Sequence, residues 1–139
     1  MAYSPVYWDT SALVAALFME ERSDEARRLA ALPGVHLMSS LAWTDLQAVF
    51  SRARREQHIA AALVDTMQTA VGSGPWRYVT ATPRQDVSAS LARRWALRGA
   101  DLWHLALAKT LQTELPELAF ATFDKALTEA GAAEGLHLP

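Results

Sequence analysis

Short apolar runs and stripes of helical period alternate along the chain. Val6-Tyr7-Trp8 stops abruptly at Asp9-Thr10-Ser11, and Ala12 to Phe18 then reads as a short buried helix, so this segment predicts strand, turn and helix. Ser23-Asp24 precede a strong helix former, Glu25 to Leu32, that ends at Pro33-Gly34. Val35-His36-Leu37-Met38 alternates as a second strand, and Ser39-Ser40 supply a cap for a helix running through Asp45 to about Gln57. A further helix is predicted from Ile59 to Val71, closed by Gly72-Ser73-Gly74-Pro75, and a third strand from Trp76 to Thr80.

Thr82-Pro83-Arg84-Gln85 has the form of a capping box, and the helix behind it carries Val87, Leu91 and Trp95 at four-residue spacing before Gly99 ends it. Leu102 to Leu115 is the next helix, Leu118 to Ala121 a fourth strand, Lys125 to Ala133 a last helix and Leu136-His137-Leu138 a candidate fifth strand. Strands that alternate with helices pair in parallel through crossovers, with helices on both faces. The pattern therefore predicts a three-layer α/β/α sandwich around a central parallel sheet of four or five strands. A length of 139 residues suits one domain over residues 1–139 with a single sizeable core.

Composition narrows the function classes. With 51% hydrophobic and 20% charged residues the chain is an ordinary globular protein, not a disordered or fibrous one. It has no cysteine, so any metal must bind oxygen or histidine, and a reducing compartment suits it. Met1-Ala2-Tyr3-Ser4-Pro5 lacks the basic and apolar regions of a secretory signal, and Leu102 to Leu111 is interrupted by His104 and Lys109 well short of a membrane span. A soluble, cytoplasmic protein with no membrane partner is expected. The net charge of −2 argues weakly against a nucleic-acid partner.

In parallel α/β sheets ligands bind beyond the carboxyl ends of the strands, and four acids fall there or at nearby helix starts. Asp9 follows the first strand, Asp45 lies in the first turns of the helix after the second, Asp101 opens a helix after Gly99-Ala100, and Asp124 sits three residues past the fourth strand. Singly, Asp101 and Asp124 read as helix caps and Asp45 as a solvated first-turn acid that complements the helix dipole, whereas Asp9, following three large apolar residues, is the hardest to dismiss as surface. Jointly, four anions at one edge would raise one another's pKa values unless a cation held them. Oxygen-only ligands suit Mg²⁺ or Mn²⁺, and such ions bring phosphate substrates and water-driven in-line displacement within reach.

These segments resemble the PIN-domain ribonucleases, and within them the VapC-type toxins of toxin-antitoxin pairs, over nearly the whole chain. Tyr7-Trp8-Asp9-Thr10-Ser11-Ala12-Leu13 is similar to the family's opening motif, Leu97 to Ala106 around Asp101 to its third acidic motif, and Phe120 to Leu127 around Asp124 to its fourth. Ser39 to Leu46 occupies the second motif, but Asp45 stands where the family typically has Glu, one methylene longer. The resemblance implies a PIN-like fold and a Mg²⁺- or Mn²⁺-dependent endoribonuclease that cleaves RNA with a metal-activated water. It implies Asp9, Asp45, Asp101 and Asp124 as catalytic metal ligands, with Thr10, Ser11 and Thr122 hydrogen-bonding the ligands or waters. It also implies a small antitoxin protein as partner and a homodimer. The Asp45 departure motivates a second reading, a non-catalytic PIN-like module that binds RNA or protein.

Arg52, Arg54 and Arg55 cluster on one predicted helix and Arg93, Arg94 and Arg98 near another; Arg52, Arg55, Arg94 and Arg98 are the candidates for phosphate contact. Setting the four site acids aside leaves a net charge of +2, which removes the objection to RNA. Trp8 and Trp95 are expected in the core; Trp43 and Trp103, beside Asp45 and Asp101, could line the substrate groove or a partner interface. His104, one turn after Asp101, has a spacing that suits metal ligation, proton transfer or a structural hydrogen bond.

Overall fold

A computed structural model describes residues 4–139; the leader reading of residues 1–3 falls outside the described residues. Four strands, β1 (Pro5–Trp8), β2 (Val35–Ser39), β3 (Trp76–Val79) and β4 (Ala119–Ala121), form one sheet in the order β3-β2-β1-β4. All three pairings are parallel, with Tyr7 level with Leu37 on one side and Phe120 on the other, and Met38 level with Tyr78. The helices are α1 (Thr10–Leu17), α2 (Ser23–Ala31), α3 (Ser40–Glu56), α4 (Ala61–Ser73), α5 (Gln85–Arg94), α6 (Gly99–Gln112) and α7 (Lys125–Ala133).

The two-residue period of β1 divides the core. Val6 and Trp8 pack with residues of α1 to α4, whereas Tyr7 packs on the other face with Leu91 of α5, Leu105 and Leu107 of α6 and Leu127 of α7. This is the predicted α/β/α sandwich, with β1 buried along its whole length. Burying an aromatic of this size removes roughly 150–250 Å², worth about 4–6 kcal/mol at about 25 cal/mol/Å². Tyr7 and Trp8 are both fully buried, so the strand that leads into Asp9 is anchored from both faces.

Several predicted boundaries move, each for a reason. Thr82 does not cap α5: the cap residue is Arg84, with no side-chain cap bond, and its N–H goes instead to the Thr110 hydroxyl at 3.1 Å. The α5 helix ends at Arg94 because Trp95 turns extended, its indole N–H donating to Glu134 at 2.8 Å; the side chain is half-buried and packs against the margin of the core. Gly99 starts α6 and does not end α5, which puts Asp101 inside a first turn. The fifth strand shrinks to one parallel bridge between His137 and Ala119, Pro139 having no N–H to extend a ladder. The α3 helix ends where the sequence suggested, at Gln57, which closes it in the left-handed region at φ 55°. Among the described residues no helix is long and apolar enough to cross a membrane.

Candidate metal centre at the carboxyl edge of the sheet

Asp9 follows Trp8 at the carboxyl end of the central strand and caps α1, its Oδ1 accepting the Ala12 N–H at 2.9 Å. The Ser11 hydroxyl donates to the same oxygen at 2.7 Å, and the Thr122 hydroxyl donates to Oδ2. Ser11 Oγ in turn accepts the Phe123 N–H at 3.0 Å and Thr122 Oγ1 the Asp124 N–H at 3.1 Å, so two hydroxyls tie this carboxylate to the loop between β4 and α7. Asp9 is 2% exposed. Desolvation pushes its pKa up to about 6 even though Thr122, Ser11 and Ala12 stabilise the charge, and Asp101 pushes it further in the same direction.

The other three acids are half-buried around it. Asp45, in the second turn of α3, accepts the Thr10 hydroxyl on Oδ2 at 2.8 Å. Asp101, in the first turn of α6, has its pKa raised by burial and then by the charges of Asp124 and Asp45, against a lowering by Arg98. Asp124 is the cap residue of α7, but its side chain makes no cap bond, which leaves the carboxylate free to turn toward the edge. The charges of Asp124 and Asp45 act on Asp101, and that of Asp101 on Asp9, which places all four acids in one electrostatic field. Even so, no three acid or histidine side chains among the described residues stand close enough to enclose an ion, and none of the four acids forms an ion pair there.

That spacing fits a hard cation better than it first suggests. Mg²⁺ uses one or two protein carboxylates and keeps several waters, so a ready three-ligand cage is not required. A buried carboxylate whose charged form is disfavoured, with no ion-pair partner among the described residues, is the donor a divalent ion would relieve. Asp9 and Asp101 lean toward such a group most directly, since both pKa values are raised by their surroundings.

The sequence missed what lies behind Asp45. Tyr7 Oη is 2.6 Å from His104 Nδ1 and 3.0 Å from Ser39 Oγ, and His104 Nε2 is 3.2 Å from Thr10 Oγ1. His104 is buried, which lowers its pKa to about 4, and both ring nitrogens have partners, so it serves as a hydrogen-bonding residue and not as a free metal ligand. Burial drives the Tyr7 hydroxyl well above the usual tyrosine range, aided by the Asp9 and Asp45 charges. The one available signal was the spacing of Tyr7 and His104 toward the same face, which periodicity gives without a partner.

The arginines divide. Arg52 follows Asp45 by seven residues, on the same stripe of α3, and lines a cavity of about 570 Å³ with Ser11, Arg22 and Phe123. Arg22, which the sequence did not single out, lies over the Phe123 ring at 4.3 Å. Arg55 donates to Ser51 on its own helix at 2.7 Å, Arg54 is held by Asp65 and Gln68, and Arg94 grips both oxygens of Glu134 at 2.8 and 2.9 Å. Arg98 is exposed beside Asp101. Trp43 is 44% exposed on α3, and Trp103 stands edge-on to His104 at 5.8 Å.

A parallel sheet between two helical layers, with acids gathered where its strands end, defines a PIN-like α/β/α protein. The chain belongs to the PIN domain family, which residues 6–133 match. Similar solved structures include PAE2754 from Pyrobaculum aerophilum, at 17% identity and TM-score 0.67, covering 94% of this chain and 86% of that one. Another is VapBC2 from Rickettsia felis bound to a DNA fragment from their promoter, at 13% identity and TM-score 0.63, covering 97% of each chain. A third is the sarcin-ricin-loop-cleaving toxin VapC20 of Mycobacterium tuberculosis, at 16% identity and TM-score 0.58, covering 91% of this chain and 95% of that one. At such identities the likeness is one of fold. No curated protein sequence matches the chain significantly.

Proposed function

We propose that this PIN domain is a divalent-metal-dependent endoribonuclease, the toxin of a toxin-antitoxin pair, acting in the cytoplasm and inhibited by a small antitoxin protein that covers its acidic edge. The observation that carries the reading is Asp9, a carboxylate buried at the end of the central strand, with its pKa pushed up to about 6 and no cationic partner among the described residues. Membership of the PIN domain family and the fold likeness to VapC20 and VapBC2 support the toxin reading.

In this reading Asp9 and Asp101 hold Mg²⁺ or Mn²⁺, with Asp124 and Asp45 acting directly or through water. When bound, the ion supplies an activated water and charge neutralisation at the scissile phosphate. Asp9 is oriented by Ser11 and the Ala12 N–H on Oδ1 and by Thr122 on Oδ2, which leaves one lone pair, on Oδ2, to present to an ion. The Asp45 carboxylate is turned by Thr10 and is shorter than the glutamate of related motifs, so a water between it and the ion fits its length. Arg52 and Arg98 flank the acids and attract the RNA backbone, and a homodimer would double this surface.

The purified chain should cleave RNA when Mn²⁺ or Mg²⁺ is added and stop when a chelator is added, leaving 5′-phosphate ends. Asp9→Asn should bring cleavage to background. RNA binding that ignores metal and chelator, with no cleavage, would overturn this reading in favour of a non-catalytic binding module.

A further inference from the structure

The geometry points to a directed hydrogen-bond chain, Tyr7 to His104 to Thr10, that fixes the orientation of the Asp45 carboxylate; the inference rests on the metal-site reading of Asp45 above. The direction follows from counting protons. A carboxylate can only accept, so Thr10 spends its single hydroxyl proton on Asp45 Oδ2 at 2.8 Å. Thr10 Oγ1 can then only accept from His104 Nε2, 3.2 Å away, which requires the proton on Nε2. The buried ring is neutral and carries one N–H, so Nδ1 is a lone pair and must accept from Tyr7 Oη, at the short distance of 2.6 Å. Ser39 Oγ, which accepts the Ala42 N–H at 3.2 Å, is the other acceptor within reach of the phenol proton, at the longer distance of 3.0 Å. The shorter contact, to His104, takes the phenol proton, and the chain ends on the acid.

This chain makes Tyr7 and His104 positioning residues. Thr10 directly follows Asp9, so a hydroxyl locked by His104 holds the Asp45 carboxylate at a fixed offset from the Asp9 carboxylate. The opposite tautomer would leave Nε2 as an acceptor competing for the Thr10 proton and release Asp45. An aspartate, lacking the reach of glutamate, depends on such support more than a longer side chain would.

The test uses the full chain. In the metal-free parent, ¹⁵N NMR of the His104 ring should read Nε2 as protonated and Nδ1 as the lone-pair nitrogen, and Tyr7→Phe, which keeps the core volume, should weaken that preference. Mn²⁺ affinity measured by calorimetry should fall about 10-fold in Tyr7→Phe, His104→Leu and Thr10→Val, as loss of a ligand's hydrogen-bond support typically does. Thr10→Ser, which keeps the hydroxyl, should stay within about 2-fold of the parent, and the affected variants should lose kcat with KM for RNA unchanged. A parent that binds Mn²⁺ with the proton on Nδ1, or a Tyr7→Phe variant with unchanged Mn²⁺ affinity, overturns the chain while leaving the nuclease reading intact. A parent that binds no Mn²⁺ overturns the metal centre itself, whichever tautomer is found.

Discussion

Two neighbours on β1 each reach a buried histidine on opposite faces of the sheet, and the two pairs do different things. Trp8 donates its indole N–H to His36 Nδ1 at 2.9 Å, and His36 Nε2 reaches the Leu32 carbonyl at 3.0 Å. Tyr7 meets His104 Nδ1 at 2.6 Å, and His104 Nε2 reaches Thr10 and, through it, Asp45. Both rings take a proton from an aromatic residue of the strand and pass one on. One chain ends on a neutral backbone oxygen between α2 and β2 and serves packing; the other ends on a carboxylate. The terminus of a buried polar chain, and not its burial or its residue types, tells which one belongs to a site.

The largest effect expected is on the charge that only the second face carries. Asp9→Asn should abolish cleavage and yet stabilise the metal-free protein by up to about 3 kcal/mol at neutral pH, since a buried carboxyl raised from 3.8 to about 6 is strained when ionised. Asparagine can still accept the Ala12 N–H; alanine would also lose the cap, worth about 1 kcal/mol, and blur the result. Chemical denaturation and an RNA assay on the same preparations check this, and a destabilised, inactive Asp9→Asn would contradict it.

Next in size is the pH response, where the two buried groups oppose each other. Asp9 has a raised pKa, so its contribution favours folding below about 3.8 and is lost as pH rises through about 6. His104 has a lowered one, so its contribution is present above 6.5 and is lost as pH falls through about 4. Each spans about 3 kcal/mol by the size of its shift, and the two nearly cancel in the parent. Asp9→Asn should therefore expose the histidine: relative to the parent, the variant's stability should fall by about 3 kcal/mol between pH 6.5 and 4. Parallel pH profiles for the two proteins would refute the opposition.

The first pair gives the control. His36→Leu strips the partner from the buried Trp8 indole N–H and should cost about 1–3 kcal/mol of unfolding free energy without changing Mn²⁺ affinity. A drop in metal affinity as large as that of His104→Leu would erase the distinction between the faces.

How far the sequence exposed these features depends on how local their causes are. Asp9, Thr10 and Ser11 were legible because a strand end, a cap and a helix start occupy adjacent positions. The layer order followed from alternation alone. Tyr7 and His104 stand 97 residues apart, and a period assigns each a face without naming its partner. The misplaced ends of α5 and α6 have the same origin: Trp95 leaves the helix for Glu134, 39 residues on, a tie that no local stripe encodes. Asp45 was legible as a departure from a motif, but what supports it was not.

The smallest effect separates the two basic patches by the same criterion, what each side chain is already bonded to. Arg94 is committed to Glu134 by a two-point grip and to Ser90 at 2.6 Å, so its charge is neutralised within the fold. Arg52 makes no ion pair among the described residues and faces the cavity that begins at Ser11. On single-stranded RNA each phosphate contact contributes about 0.7 to the slope of log affinity against log salt. Arg52→Ala should reduce that slope by about 0.7 and weaken RNA binding severalfold. Arg94→Ala should leave the slope unchanged. Equal slopes for Arg52→Ala and the parent would remove this stretch of α3 from the RNA path, whatever becomes of the acids.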